Sequence, residues 1–281
     1  MTYQSNAEQL TLVIGGTGKT GARVAERLTA MGRKVRIGSR SSAPAFDWDR
    51  EATWEAALEG VSSIYITYSP DLAMPGATDA IKALVWRARL QGVTRLVLLS
   101  GRGETEAQAC EEVVQESGLE WTIVRASWFN QNFSEGAFVE MVRNGTITLP
   151  AGDTPEPFVD TDDIADVAVA ALTEDRHVGE VYEVTGPRLM TFADVAADLS
   201  AATGRSIDFV DVPHEAFVDS LAGSGAPDDV VWMLDYLFST VLDGRNAYLT
   251  DGVERALGRK PRHFADYARQ VAANGAWRAA A

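Results

Sequence analysis

Short apolar runs alternate with amphipathic stretches through the first half of the chain. The runs have the length and the bounding turn residues of buried strands, and they predict strands over residues 12–14, 34–40, 46–48, 63–68, 94–99 and 121–125. Continuous apolar strands that alternate with helices are typical of a parallel sheet covered on both faces. We therefore predict an α/β fold with a doubly wound parallel sheet, in which the first three strands form one half and the next three form the other.

The segments between these runs repeat apolar residues at helical spacing. Val24, Ala25, Leu28 and Met31 form a stripe that is expected to face the sheet, and Gly32 is placed to end that helix. The same periodicity predicts helices over residues 53–58, 77–91 and 104–117.

The second half of the chain is less regular. Strands are predicted over 146–149, 181–184 and 207–212, the second of which is placed to join the main sheet, and helices over 162–172 and 191–203. Thr191 and Asp194 have capping-box spacing, and the chain is mostly helical from Pro213 onward. We expect a cofactor-binding domain over 1–126 plus 159–185, and a smaller substrate lobe over 127–158 plus 186–281.

The first predicted strand ends in a glycine-rich turn that opens directly into a helix. Residues 15–21 read G-x-x-G-x-x-G. Glycines at this spacing allow a tight turn, close approach of the backbone to a phosphate, and contact between helix and strand. The helix N-terminus then presents amide groups and positive dipole charge to an anion. The residues expected to hold a cofactor diphosphate are Gly15, Thr17, Gly18, Lys19 and Thr20.

Two other interpretations of this turn stay open. Gly18-Lys19-Thr20 resembles the end of a nucleotide triphosphatase loop, but that motif requires a glycine at position 13, which is valine. The turn is also compatible with a glycine-rich connection that binds no ligand.

The end of the second predicted strand indicates which dinucleotide is preferred. An NAD site carries an acidic residue about 20 positions after the glycines, where it binds the ribose 2′-hydroxyl. This chain has Ser39 and Arg40 there, followed by two more serines and no carboxylate. A guanidinium with neighbouring hydroxyls suits a 2′-phosphate. We therefore predict that the cofactor is NADP(H).

Composition excludes several classes of partner. The 281 residues include 25 lysines and arginines against 40 acidic residues, a formal net charge of −15, which argues against nucleic acid and against an anionic membrane. Cys110 is the single cysteine, and His177, His214 and His263 are far apart, so we expect no disulfide within the chain and no metal site. The polar start, residues 1–9, lacks a signal-peptide core, and no run approaches the length of a membrane span. A cytoplasmic protein is expected.

Several motifs together resemble the NmrA-like group of atypical short-chain dehydrogenase/reductases. Within that group the chain is most similar to bacterial relatives of the ergot-alkaloid-type reductases, the festuclavine synthase and agroclavine dehydrogenase type. The likeness covers nearly the whole chain and rests on residues 15–21, 39–40, 46–48, 98–100, 124–133, 161–165 and 258–264. It implies a Rossmann-type fold, bound NADP(H), and reduction of a small organic molecule, as in secondary metabolism. The group also includes regulators that bind the cofactor without turning it over.

The catalytic dyad of the main short-chain dehydrogenase branch is missing from the sequence. None of the seven tyrosines is followed four residues later by a lysine, so no Tyr-x-x-x-Lys pair exists to move a proton. One interpretation is hydride transfer to an acceptor that is already electrophilic, such as an iminium, a quinone or an enone. The other is a non-catalytic sensor of the NADP(H) redox state.

Strand ends and the resemblance together give the remaining candidate residues. Thr67 and Tyr68 are expected beside the nicotinamide ribose, with the Tyr68 hydroxyl as a hydrogen-bond donor. Ser100 is a candidate to orient substrate or cofactor, and Asp47 to accept from the adenine amino group. The expected substrate-pocket residues are Arg102, Trp128, Phe129, Asn132 and Phe133. The expected partner is a small-molecule substrate, with no nucleic acid, no membrane and no oligomeric state indicated.

Overall fold

The structure is a computed structural model that describes residues 9–136 and 138–278. Residues 1–8, on which most of the expectation about the polar start rests, lie outside this range. The chain divides into two compact units. The first unit comprises Met1–Ala126, Thr161–Glu183 and Gly252–Arg259, and the second comprises Ser127–Asp160, Val184–Asp251 and Lys260–Ala281.

The first unit is built on a six-stranded sheet with the order β2-β1-β3-β4-β5-β7. Its strands are β1 (Leu10–Ile14), β2 (Lys34–Gly38), β3 (Val61–Ile66), β4 (Arg95–Gly101), β5 (Glu120–Ala126) and β7 (Glu180–Val184). The pairs β1–β2, β1–β3, β3–β4 and β4–β5 are parallel. The strand order reverses between β1 and β3, so the carboxyl ends of these two strands flank the crevice in which ligands bind in such sheets. The predicted Rossmann-type parallel fold is confirmed.

The predicted strand over residues 46–48 is wrong, because its apolar side chains pack in the core and the segment is not a strand of the sheet. Phe46 is buried and stacks on Trp54, with ring centroids 5.6 Å apart, while Trp48 meets Phe46 edge-on at 5.0 Å. The Phe46 amide donates to the Ser39 carbonyl (2.9 Å), which makes this segment part of a turn. The sixth strand is instead β7, which joins the main sheet as predicted and lies beside β5.

Helices flank the sheet as the periodicity predicts. The helices of the first unit are α1 (Lys19–Ala30), α2 (Trp54–Leu58), α3 (Ala77–Leu90), α4 (Thr105–Gln115), α6 (Thr161–Thr173) and α10 (Gly252–Leu257). In α1 the predicted stripe buries Val24, Ala25 and Leu28. Met31 is 57% exposed, however, because it follows the last helical residue, where the chain turns at Gly32 (φ 74°). The stripe is therefore one residue shorter than predicted.

One late segment returns to the first unit, although the sequence places it in the substrate lobe. Helix α10 begins at Gly252, where a β-carbon would lie 1.9 Å from the Glu183 carbonyl oxygen, so only glycine fits against β7. Beyond the helix, Arg259 bridges Asp163 (2.7 Å) and Asp166 (2.5 Å) of α6. Close backbone packing and paired charges thus hold residues 252–259 to this unit.

The second unit has its own aromatic core and a small parallel sheet. Strands β6 (Thr146–Leu149) and β8 (Asp208–Asp211) pair in parallel, and the helices are α5 (Val139–Asn144), α7 (Phe192–Thr203), α8 (His214–Gly223), α9 (Asp228–Tyr236) and α11 (Phe264–Ala273). Phe133, Phe158, Phe192 and Phe264 are almost fully buried and pack ring against ring. No helix among residues 9–136 and 138–278 is long and apolar enough to cross a membrane.

Helix α7 begins with the predicted capping box, which gives a test of local stability. The Thr191 hydroxyl accepts from the Asp194 amide (3.1 Å), and Asp194 Oδ2 accepts from the Thr191 amide (2.9 Å). Thr191→Ala removes the first of these bonds, so we expect the free energy of unfolding to fall by about 1 kcal/mol. Urea denaturation of the purified protein measures this loss. Wild-type stability of the variant would contradict the contribution assigned to the cap.

The same cap makes stability depend on pH. The pKa of Asp194 is lowered, chiefly by the bond from the Thr191 amide. A carboxyl group with a lowered folded-state pKa stabilises the protein above its unfolded-state pKa. This contribution is therefore lost as the pH falls through the folded-state value.

Candidate active site

The turn after β1 is closed by its own backbone. The Gly15 amide donates to the Gly38 carbonyl at the end of β2 (2.8 Å), and the Gly18 amide donates to the Gly15 carbonyl (2.8 Å). Gly15 has φ 69°, a conformation that non-glycine residues adopt at a cost. The loop therefore has a defined shape without any ligand.

Side chains are sterically excluded at two of the three motif glycines. A β-carbon on Gly21 would lie 2.3 Å from the Gly15 carbonyl oxygen and 3.0 Å from the Gly16 Cα. A β-carbon on Gly15 would lie 2.1 Å from Thr67 Oγ1. At Gly18 the nearest atom would be 3.3 Å away, so Gly18 is less crowded by the protein itself. The glycines thus bring α1 against β1 and leave a concave backbone surface.

The N-terminus of α1 completes an anion cradle. Gly18 precedes the helix without a side-chain cap, and the first turn contains no acidic residue. Thr17 and Gly18 are exposed and Lys19 is half-buried, whereas Thr20 is buried. Unpaired amides at a helix start favour phosphate. These residues fit the diphosphate of a dinucleotide.

The end of β3 forms the other wall of this crevice. The Thr67 hydroxyl donates to the Ile14 carbonyl (3.0 Å), which ties β3 to the start of the glycine turn. The Trp48 indole N–H donates to the Thr67 carbonyl (3.1 Å), and the Trp48 ring lies 4.8 Å from the Tyr68 ring. Trp48 was not predicted as a site residue, although it belongs to the aromatic segment that carries the family resemblance.

Tyr68 is half-buried at this wall. Burial raises the pKa of its hydroxyl, and the neighbouring acidic charges of Asp49 and Cys110 act in the same direction. The hydroxyl therefore stays protonated at neutral pH.

The end of β2 presents Arg40 to solvent. Arg40 lies within a serine turn, in which the Ser42 hydroxyl donates to the Ser39 carbonyl (2.8 Å). Arg40 is exposed, and its side chain makes no ion pair or hydrogen bond within residues 9–136 and 138–278. Asp47 closes the next turn by accepting from the Asp49 amide (3.2 Å).

Ser100 and Arg102 belong to a buried network at the ends of β4 and β5. The Ser100 hydroxyl donates to Glu111 Oε1 (2.6 Å), and the Arg125 guanidinium binds both oxygens of Glu111 (2.9 and 2.5 Å). Arg125 also binds Glu183 (2.7 Å), to which Arg102 Nε donates at 3.3 Å. Ser100 and Arg102 are almost fully buried, so the structure assigns both of them contacts within the protein.

The charges of this network hold one another in their ionised forms. The hydrogen bonds that Arg125 donates to Glu111 raise the pKa of Arg125. Burial alone would raise the pKa of Glu183, but the hydrogen bonds from Arg125 and Arg102 lower it overall. Sequence reasoning missed Glu111 and Glu183. The sequence did contain a signal for Glu111. This acidic residue follows Cys110 and lies four positions after Ala107, on the apolar face of α4.

Arg125→Met tests the structural weight of this network. Glu111, whose side chain is 2% exposed, would then keep a buried charge without its main cation. Removing one partner of a buried ion pair is costly, and because Arg125 itself is 19% exposed we expect a loss of about 2 kcal/mol in unfolding free energy. Chemical denaturation measures it, with Arg50→Met, at an exposed position, as the control. Equal stability of the two variants would contradict this account.

Four of the five candidate substrate residues lie in the second unit and differ in exposure, whereas Arg102 belongs to the first unit. Trp128, Phe129 and Asn132 are half-buried. Phe133 is fully buried and contacts Phe138 (5.5 Å) and other rings of the aromatic core, so core packing accounts for it. Within the part of the chain that the structure describes, no group of three or more potential metal ligands is found.

Comparison with known proteins agrees with this geometry. The chain matches the NAD(P)H-binding family over residues 15–175 and the NmrA-like family over residues 106–268. It is 33% identical over 279 residues to agroclavine dehydrogenase from Claviceps fusiformis, covering 91% of this chain and 95% of that protein. It is 31% identical over 285 residues to an NAD(P)H azoreductase from Xenophilus azovorans, covering 93% and 98%.

A solved structure shares the fold over almost its whole length. The triphenylmethane reductase of Citrobacter sp., crystallised with NADP(H), aligns with a TM-score of 0.74 at 18% identity, covering 94% of this chain and 99% of that one. The matched families span the glycine turn and the second half of the chain alike. The resemblance drawn from the motifs is therefore confirmed: the chain belongs to the NmrA-like family and is an NAD(P)H-dependent oxidoreductase.

Proposed function

We propose that this protein is an NADPH-dependent reductase that transfers a hydride to a small electrophilic acceptor, namely an iminium, a quinone or an enone. The observation that carries the proposal is the glycine cradle under the uncapped N-terminus of α1, with Arg40 at the adjacent strand end. A diphosphate fits the cradle. An exposed arginine at the end of the neighbouring strand suits the 2′-phosphate of NADP(H).

Each cofactor residue has a separate task in this proposal. Residues 15–20 hold the diphosphate through backbone amides, with the Lys19 side chain nearby. Ser39 and Arg40 bind the 2′-phosphate, and Asp47 accepts from the adenine amino group. Thr67 and Tyr68 contact the nicotinamide ribose. When bound, NADPH supplies the hydride, and the residues of the chain orient it and exclude water.

The proposed acceptor class follows from the missing Tyr-x-x-x-Lys pair. An acceptor that is already electrophilic takes a hydride without a dyad built to polarise an ordinary ketone. Relatives named as an NAD(P)H azoreductase and as an agroclavine dehydrogenase support redox chemistry on a small molecule. Trp128, Phe129 and Asn132 stay predicted contacts of the acceptor.

The direct test follows NADPH absorbance in the presence of quinone, iminium and enone panels. The proposal expects cofactor oxidation with at least one class, and faster oxidation of NADPH than of NADH. If NADPH binds tightly but no acceptor is reduced, the catalytic proposal is wrong and a redox-sensing regulator replaces it.

A further inference from the structure

The turn formed by residues 46–48 connects the end of β2 with the end of β3. At one end of this turn the Phe46 amide donates to the Ser39 carbonyl (2.9 Å). At its other end the Trp48 indole N–H donates to the Thr67 carbonyl (3.1 Å). The turn therefore joins two strand ends to which the proposed function gives different parts of the cofactor, the 2′-phosphate and the nicotinamide ribose.

Aromatic neighbours fix the position of the Trp48 ring. The ring lies edge-on to Phe46 (5.0 Å) and to Trp54 (5.6 Å), and both of these side chains are buried. The Trp54 indole N–H also donates to the Asp47 carbonyl (2.7 Å), which holds the peptide that leads into Trp48. Edge-to-face pairs add to the stabilisation that burial provides. The Trp48 indole thus has a defined position from which it contacts the end of β3.

Two contacts from Trp48 define the position of Tyr68. The indole N–H binds the carbonyl of the preceding residue, Thr67, and the indole ring lies 4.8 Å from the Tyr68 ring. The Thr67 hydroxyl is itself bound to the Ile14 carbonyl (3.0 Å), so the residue before Tyr68 is held at two points. The Tyr68 hydroxyl makes no hydrogen bond to the part of the chain that the structure describes, and it is therefore available to a ligand.

The segment that Trp48 holds lies against the glycine turn. A β-carbon on Gly15 would be 2.1 Å from Thr67 Oγ1, so the Thr67 side chain fills the space that this glycine leaves. The end of β3 is thus a wall of the cradle to which we assign the cofactor diphosphate.

We propose that Trp48 is a positioning residue of the reductase, which holds the Tyr68 ring so that the Tyr68 hydroxyl sets the place of the nicotinamide for hydride transfer. Its effect on the cofactor is indirect, through Thr67 and Tyr68. This inference rests on the proposed reductase function. Hydride transfer depends steeply on the distance between donor and acceptor carbons, so a small displacement of the nicotinamide lowers the rate while the phosphates still retain the cofactor.

Trp48→Phe tests the inference, because phenylalanine keeps an aromatic ring in the cluster but has no N–H to donate to Thr67. Single-turnover rates of NADPH oxidation are measured with the acceptor that the wild-type protein reduces fastest. We expect the hydride-transfer rate to fall about tenfold and the Kd for NADPH to change less than about threefold, because the residues at the phosphates are unaltered.

Trp277→Phe is the matched control for the loss of an indole donor. The Trp277 indole N–H donates to the Phe133 carbonyl (2.7 Å) in the core of the second unit. The control variant therefore loses a bond of the same kind, between an indole and a backbone carbonyl. Its hydride-transfer rate and its Kd for NADPH should stay at their wild-type values.

A double-mutant cycle with Tyr68→Phe distinguishes positioning from a general loosening of the site. Tyr68→Phe removes the hydroxyl and keeps the ring, and we expect it to lower the hydride-transfer rate by about tenfold as well. If Trp48 acts through that hydroxyl, the double variant should be no slower than Tyr68→Phe alone, because residues that act as a unit are not additive. Independent effects would instead multiply to about 100-fold.

The emission of bound NADPH gives a readout that needs no acceptor. The fluorescence anisotropy of the reduced nicotinamide ring, measured at saturating protein, reports how firmly the ring is held. This anisotropy should fall in Trp48→Phe, and it should fall equally in Tyr68→Phe and in the double variant. It should keep its wild-type value in Trp277→Phe.

The outcomes separate the positioning role from the proposed function. Wild-type values of the rate and of the anisotropy in Trp48→Phe overturn the positioning role and leave the reductase intact. An equal loss of NADPH affinity, multiplied losses in the double variant, or a Trp48→Phe protein that does not fold also overturns it, because Trp48 is then a general structural residue. If the wild-type protein reduces no acceptor, the reductase function is wrong, and the anisotropy alone decides whether Trp48 positions the nicotinamide.

Discussion

Gly21→Ala is expected to abolish measurable NADPH binding. The new β-carbon would lie 2.3 Å from the Gly15 carbonyl oxygen and 2.7 Å from its carbonyl carbon, which are backbone atoms that cannot rotate away. Helix α1 must then move off β1, and the amides of the turn lose their alignment with the diphosphate. Losing two charge-assisted hydrogen bonds raises the Kd by about 100-fold or more. Fluorescence titration with NADPH measures the change.

Gly223→Ala is the matched control. Gly223 ends helix α8, and a β-carbon there would have no heavy atom within 4 Å. Circular dichroism separates loss of binding from loss of folding, since Gly21→Ala should retain the helical signal at low temperature. A folded Gly21→Ala protein with wild-type affinity for NADPH would contradict the role assigned to the turn.

Arg40→Glu is expected to reverse the cofactor preference. The substitution removes the guanidinium proposed to bind the 2′-phosphate and places a carboxylate where NAD-dependent enzymes have one. A charge-assisted bidentate contact and the new repulsion together should raise the Kd for NADPH by about 100-fold. The Kd for NADH should change by less than about threefold, because NADH lacks the phosphate on which the charge acts.

Arg50→Glu introduces the same charge change at another exposed arginine of the first unit. It should leave the ratio of the two dissociation constants at its wild-type value. If Arg40→Glu weakens the binding of NADPH and of NADH equally, Arg40 does not act through the 2′-phosphate. The proposed basis for the NADP(H) preference is then wrong.

The fold was predictable where apolar periodicity acts alone. The stripe of α3, namely Ile81, Leu84, Val85 and Ala88, is buried as expected, and the runs that became β3, β4 and β5 pair in parallel. The strand prediction for residues 46–48 was wrong because a short apolar run is compatible both with a strand of a sheet and with an aromatic turn. Phe46 and Trp48 pack on Trp54, which only the folded chain brings near.

The site was predictable in part for a similar reason. Glycine spacing and the strand that precedes it locate the cradle, since both features are local in sequence. Ser100 was recognised as a strand end, but its partner Glu111 comes from the following helix and Glu183 from a strand 72 positions after Glu111. Such contacts require topology, which spacing along the chain does not contain.

Isothermal titration calorimetry of the wild-type protein with NADPH tests the central claim most directly. The account predicts saturable heat with one site per chain, tighter binding of NADPH than of NADH, and loss of the signal in Gly21→Ala. Absence of heat with both coenzymes, in reduced and oxidised forms alike, would contradict it.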